Sequence, residues 1–183
     1  MFRSLIFLKT KGIAKLSLLS LLATAVMGWS TKVSSMPVSS ENQILVKAKL
    51  TDRDLTELVQ QVHQEINQYR SSLDLAPLTL NAQISRQAQM HSQKMAQGRV
   101  KFSHHGFERR VEKLKHKIPY RRISENVAYN QGYSKPATKA VAGWIESEGH
   151  RQNIIGNYNL TGIGVAKNQQ GEYYFTQIFI GEK

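Results

Sequence analysis

The sequence predicts an α/β chain built as a three-layer α/β/α sandwich, and three observations carry that reading. Apolar residues recur with a helical period in three separate segments between residues 55 and 144. The period changes to two after residue 162, where short runs of β-branched and aromatic residues flank a polar turn. The last of those runs is apolar on both faces, so its sheet has to be covered on both sides by helices rather than facing water.

The first helix is read from Leu55, Leu58, Val59, Val62, Ile66 and Tyr69, which fall on one face of a 3.6-residue period opening near Asp54. Pro77 breaks the chain. Asn81 then offers an N-cap, and Ile84, Ala88, His91 and Met95 form a second stripe that stops at Gly98. Pro136 opens a third helix where its missing N–H costs little; Ala137, Ala140, Val141 and Trp144 share its inner face, and Gly149 is expected to close it. Ile163 to Ala166 reads as a strand, Asn168 to Gly171 as a turn, and Tyr173 to Gly181 as a second strand. In that strand Tyr173, Phe175, Gln177 and Phe179 oppose Tyr174, Thr176, Ile178 and Ile180.

Ahead of these elements, basic residues from Arg3 to Lys15 precede the 12-residue apolar run from Leu16 to Met27. A run of that length is too short to span a bilayer as a helix, and it reads as a secretory signal with A-x-A at Ala23 to Ala25. The expected organisation is a signal over residues 1–27, a Ser-rich linker over 28–50 and one domain over 51–183, placed outside the cell or in a periplasm. The formal charge is +12; five of the cations lie in the first 40 residues, which hold no acid, so +7 remains on the rest. Such a field favours anionic partners. The cations come without a groove-reading motif, which argues against nucleic acid. There are no cysteines, which excludes a disulfide framework, a Cys-based zinc site and a thiol nucleophile.

Four segments in order resemble one family. They are the opening helix with its Pro77-Leu78 continuation, Phe102-Ser103-His104, Ser124-Glu125-Asn126-Val127-Ala128, and Trp144 to Ile155 with Gly149-His150-Arg151, followed by Gly162-Ile163-Gly164 and Tyr174 to Phe179. Together they are similar to the CAP superfamily (cysteine-rich secretory, antigen 5, pathogenesis-related), in its short bacterial form. The resemblance implies an α/β/α sandwich with a mainly antiparallel central sheet and a cleft carrying His104, Glu125 and His150. Where animal and plant relatives have a second glutamate and a second histidine, Ser147 and Tyr174 stand here, with Glu146 and Glu148 as neighbouring acids.

Two imidazoles and a carboxylate can hold a divalent ion, so His104, Glu125 and His150 are the expected metal residues, with weak zinc as the ion. The same residues would carry a metal-assisted hydrolase, although the H-E-x-x-H signature of common zinc proteases is absent. Equally, they can form a hydrogen-bonded network that joins helix to strand. Ser103 beside His104 and Ser147 near His150 are the nucleophiles a serine mechanism would need, and His105 is the alternative to His104. His91 reads as a core histidine, and His63 and His116 as surface ones. Asn67, Arg70, Asn126, Arg151, Asn153 and Gln177 are expected to fix loops and helix ends, and Arg109 or Arg110 to reproduce a structural arginine of the family. The basic stretch from Arg109 to Arg122 is the sharpest charge feature and is read as a docking face for an anionic lipid, glycan or protein of the cell envelope, with transient membrane association. The favoured function is a secreted, non-catalytic binding module; the competing one is a peptidase-like hydrolase acting on extracellular or envelope substrates.

Overall fold

The computed structural model describes the backbone of Ile6–Phe7 and of residues 40–182, with side chains from 54 to 182. The signal expected over 1–27, Ile6–Phe7 apart, and the linker up to residue 39 lie outside the described residues. Helix α1 (Ser40–Ser71) starts earlier than Asp54 and takes in residues 40–50, which were expected to be linker. Its predicted stripe is real: Val62 and Ile66 are fully buried, and Leu55, Leu58, Val59 and Tyr69 pack on the same core.

After α1 the chain turns through a short strand, β2 (Thr79–Leu80), into α2 (Ala82–Ala96). Asn81 caps α2 as expected, its side chain accepting from the Gln83 and Ile84 amides. Just past the end of α2, Gly98 takes up a left-handed φ of 67°. A helix that the charge run concealed, α3 (Phe107–Lys115), follows, burying Phe107, Arg110 and Leu114 at helical spacing. Strand β3 (Tyr120–Asn130) comes next.

Pro136 opens α4 (Pro136–Glu146) as predicted, but Gly149 does not close it. The stop is Ser147, whose extended backbone (φ −86°, ψ 120°) ends α4 and starts α5 (Glu148–Ile155), with Gly149 inside the new helix. Strands β4 (Leu160–Lys167) and β5 (Tyr173–Glu182) complete the chain order, joined by the expected turn, in which the Gly171 amide donates to the Asn168 carbonyl at 3.1 Å.

With β1 (Ile6–Phe7), the described strands form one sheet in the order β1-β3-β5-β4-β2. Its three long strands are antiparallel, while the two-residue strands at the edges pair in parallel. The expectation for β5 holds: one face sends Phe175 and Phe179 into a core with α1 and α4, the other sends Ile178 and Ile180 into a core with Ile84, Ala88 and Leu114. Trp144 lies at the centre of the first core, fully buried, with its indole N–H donating to the Val127 carbonyl at 3.0 Å. On the opposite face β4 carries Gly162 and Gly164 because the backbone of α2 lies directly on it. A Cβ at Gly164 would collide with Ala88 and Gln89, and one at Gly162 with Ile84 and Ser85. No helix among the described residues is long and apolar enough to cross a membrane.

Candidate functional site

The site grows from the loop between α2 and β3. Gly106, with a left-handed φ of 73°, turns the chain into α3, and the Phe107 amide donates to the His104 carbonyl at 3.0 Å. This turn holds His104 against the sheet while α3 brings Arg110 inward. Glu125 comes from β3, in register with Ile178, so it points to the α2 and α3 side.

There the three side chains meet. Glu125 Oε1 accepts from His104 Nδ1 at 3.0 Å and from Arg110 Nη2 at 2.7 Å, while Oε2 accepts from Arg110 Nε at 2.7 Å. Arg110 Nη1 also donates to the His105 carbonyl at 3.0 Å. The carboxylate is only 5 % exposed, so its charge is balanced by a bidentate guanidinium rather than by water. A carboxylate can only accept, so Nδ1 of His104 carries the hydrogen, and in the neutral ring the lone pair falls on Nε2.

His91 lies beneath this cluster, donating from Nε2 to the Ser103 carbonyl at 2.8 Å. Burial first, and then the Arg110 charge, push its imidazole down to about 4, against an opposing pull from Glu125. The reading of His91 as a core histidine therefore stands. His116 is exposed beside Glu112, as expected of a surface residue. His63 is a correction: it is half-buried and donates to the Leu78 carbonyl at 2.8 Å.

His150 sits on α5 and is 1 % exposed. Its Nδ1 shares a hydrogen bond with Ser147 Oγ at 2.9 Å, and its carbonyl accepts from Asn126, the strand neighbour of Glu125, at 3.1 Å. Among the described residues, no group of three or more His, Asp or Glu side chains is placed to hold a metal ion. Both oxygens of Glu125 are engaged by Arg110.

Nor do the serines form a hydrolytic pair with access to substrate. Ser103 Oγ donates to the Lys101 carbonyl and accepts from the His105 amide, both at 3.1 Å, so it closes its own loop. Ser147 does contact His150, but as an i, i+3 contact at the start of α5 in which the imidazole is shut off from solvent. Glu146 and Glu148 flank that serine and are exposed. Tyr174 donates to Glu172 Oε2 at 3.0 Å, and Tyr129 to Oε1 at 2.7 Å. Burial first, and then Glu172, push the Tyr129 phenol up to about 12 and Tyr174 up as well, so both act as neutral donors.

The remaining polar residues behave as fasteners. Arg70 is buried and donates to the carbonyls of Ala76, Ile154 and Gly156, closing the end of α1 onto the end of α5. Asn67 both donates to and accepts from the backbone of Leu78, and Asn153 donates to Asn126 at 2.8 Å. Arg151 holds the Ile145 carbonyl, and Gln177 donates to Thr161. Sequence reasoning missed the choice of Arg110 as the partner of Glu125. The spacing of Phe107, Arg110 and Leu114 was the available signal.

The comparisons with known proteins fit this architecture. The family profile described as "CAP: Cysteine-rich secretory protein family" matches residues 63–179. The chain is 34% identical over 119 residues to the uncharacterized protein YkwD of Bacillus subtilis, covering 63% of this chain and 44% of that protein. It is 30% identical over 154 residues to the uncharacterized membrane protein YlbC of the same organism, covering 81% of this chain and 36% of that protein. The chain thus spans less than half the length of these relatives. Among solved structures, an outer surface protein of Borrelia burgdorferi superposes with a TM-score of 0.59 at 19% identity, covering 69% of this chain and 94% of that one. An extracellular SCP-domain protein of Bacillus anthracis gives 0.54 at 24% identity, covering 81% and 45%. Those identities speak to the fold alone. Taken with the profile match over well over half of its length, they mean that this chain belongs to the CAP, or cysteine-rich secretory protein, family.

Proposed function

We propose that this chain is a secreted, non-catalytic binding module, in which a rigid sandwich presents a loop and helix surface to anionic partners of the cell envelope. One observation carries the reading. The carboxylate of the His104 cluster is held by a bidentate Arg110, so acting as a general base would require it to give up two charge-assisted bonds in a buried site. Glu125 and Arg110 therefore act as the brace that sets the His104 loop against the sheet. The apolar run from Leu16 to Met27 and the outer-surface and extracellular descriptions of the structural neighbours support export.

In this reading a divalent ion binds weakly, through the imidazoles of His104 and His150, with Glu125 orienting His104 rather than ligating. The test is metal analysis of the purified protein, with peptide and cell-wall hydrolysis assayed before and after chelation, and calorimetric zinc titration of the parent, His104→Ala and His150→Ala. The expected result is no chelator-sensitive turnover and weak zinc binding lost in either variant. Turnover that disappears with the metal would replace this reading with the hydrolase.

A further inference from the structure

We propose that the groove between α2 and α3 is a binding site for a linear polyanion bearing phosphate groups. This deepens the binding-module reading and rests on it, but places the contact away from His150 and the Ser147 junction. Two adjoining cavities, of about 270 and 110 Å³, lie between the helices and share Gln87 and Lys113 in their walls. Lys94, Arg109 and Lys113 converge on the larger cavity, and Arg86, Lys113 and Lys117 on the smaller. Neither wall contains an aspartate or a glutamate.

The groove is a consequence of two matched helical stripes. On α2 the lining residues, Gln83, the pair Arg86 and Gln87, the pair Met90 and His91, and Lys94, recur once per helical turn over about 16 Å. From α3 onward Gly106, Arg109, Lys113 and Lys117 repeat the same spacing along the facing side. Exposed charge runs are usually solvated faces, but here cations from two elements point into a shared concavity, which focuses the field.

The floor sharpens the selectivity. Arg110 is neutralised by Glu125, and His91 stays uncharged because its imidazole is held down near 4, so the free charge sits on the rim lysines and arginines. Glu112 is turned to His116 at 3.2 Å and to Lys115, neither of which lines the groove. Arg and Lys donors with two glutamine amides suit phosphate oxygens, which accept charge-assisted bonds from several directions. Met90, Val100 and Leu114 are the apolar side chains in the walls, and cations border both cavities. A strand of repeating anions lying along the roughly 16 Å of α2 uses both cavities at once.

The test is fluorescence anisotropy of the full chain with labelled linear polyphosphate, run beside inorganic phosphate and vesicles of phosphatidylglycerol in phosphatidylcholine. Lys94→Gln/Lys113→Gln is compared with Lys115→Gln/Lys135→Gln, which removes the same charge from exposed positions outside the groove. Melting curves check that both variants stay folded. The expected result is that polyphosphate binds and the groove variant loses roughly tenfold or more, as the removal of charge-assisted bonds implies. The control pair should lose less than about twofold, as befits exposed charges outside the groove. Equal losses in both variants would reduce the effect to diffuse charge and overturn the site. Vesicle binding that needs Lys94 and Lys113 while polyphosphate fails would overturn it in favour of a membrane surface, and binding of neither probe would also sink it. None of these outcomes alters the zinc or turnover results at His104, so failure here and failure of the binding-module reading are told apart.

Discussion

The two faces of the sheet are built on different principles. Under α1, α4 and α5 lies the larger apolar cluster, with Trp144, Phe175 and Phe179 fully buried, and the polar groups it encloses, Asn126, Asn130, Thr161 and Gln177, are neutral and hydrogen-bonded. Beneath α2 and α3 the apolar cluster is smaller, and the rest of the face is polar: Ser92 donates to Thr176, His91 to a carbonyl, and Glu125 sits between His104 and Arg110. One face holds the larger apolar cluster, and the other adds a buried ion pair that fixes a loop. Beneath α2 and α3 a carboxylate can be buried because Arg110 pairs with it; left unpaired there, its charge would be costly.

Two substitutions of similar size test this contrast most directly. Trp144→Ala should cost about 3–5 kcal/mol in denaturant melts, through the cavity it leaves and the orphaned Val127 carbonyl. Arg110→Ala should cost about 3–5 kcal/mol as well, but for the opposite reason, because it leaves Glu125 charged and buried. The double variant Arg110→Met/Glu125→Leu separates the two mechanisms. It should recover most of that loss, since removing both members of a buried pair is often close to neutral. A double variant as unstable as Arg110→Ala would show that packing, not charge, dominates this face as well.

A pH experiment gives a somewhat smaller effect on the same face. The folded imidazole of His91 is held near 4 against 6.5 in the unfolded chain. Between those values the unfolded state binds the proton and the folded state does not. Stability from this group is therefore whole above 6.5, is lost as pH falls through the window, and levels off below about 4. The full loss is about 3 kcal/mol at 1.36 kcal/mol per pH unit. His91→Gln, which keeps a donor for the Ser103 carbonyl, should remove this contribution; an unchanged pH profile from about 7 to 4 would show that His91 charges freely in the folded protein.

The smallest expected effect concerns how closely α2 approaches the sheet. Gly164→Ala sets a methyl group against the α2 backbone and should cost about 1–3 kcal/mol, as overpacking does. It should also lower polyphosphate affinity by tilting α2 and widening the groove. A neutral substitution would mean that α2 is free to shift on the polar face.

Much of this was legible in the sequence where burial follows a clean period. The stripes through Val62 and Ile66, through Ile84 and Ala88, and through Val141 and Trp144 became helices with those residues inward, and β5 proved apolar on both faces. What was hidden had mixed patterns. In β3 the exposed pair Arg121 and Arg122 interrupts half-buried residues before a wholly buried second half, so YRRISENVAYN shows no single alternation. Helix α3 was obscured by its own charges, one of which, Arg110, is a buried structural residue placed in the middle of a basic run. The break at Ser147 left no trace that composition could reveal, because a serine continues a helix or caps one according to its surroundings. His104 and Glu125 were recognisable as a pair only by resemblance; their contact depends on a strand and a loop that meet through tertiary structure.

Strand β5 is the last of the described elements in chain order and lies in the middle of the sheet. During synthesis β3 and β4 emerge first and must wait for it, since neither pairs with the other in the finished sheet. A nascent chain that stops short of Tyr173 has both cores open along the same line, one on each side of the gap. The three long strands therefore cannot close into one sheet until β5 is available to pair with both β3 and β4.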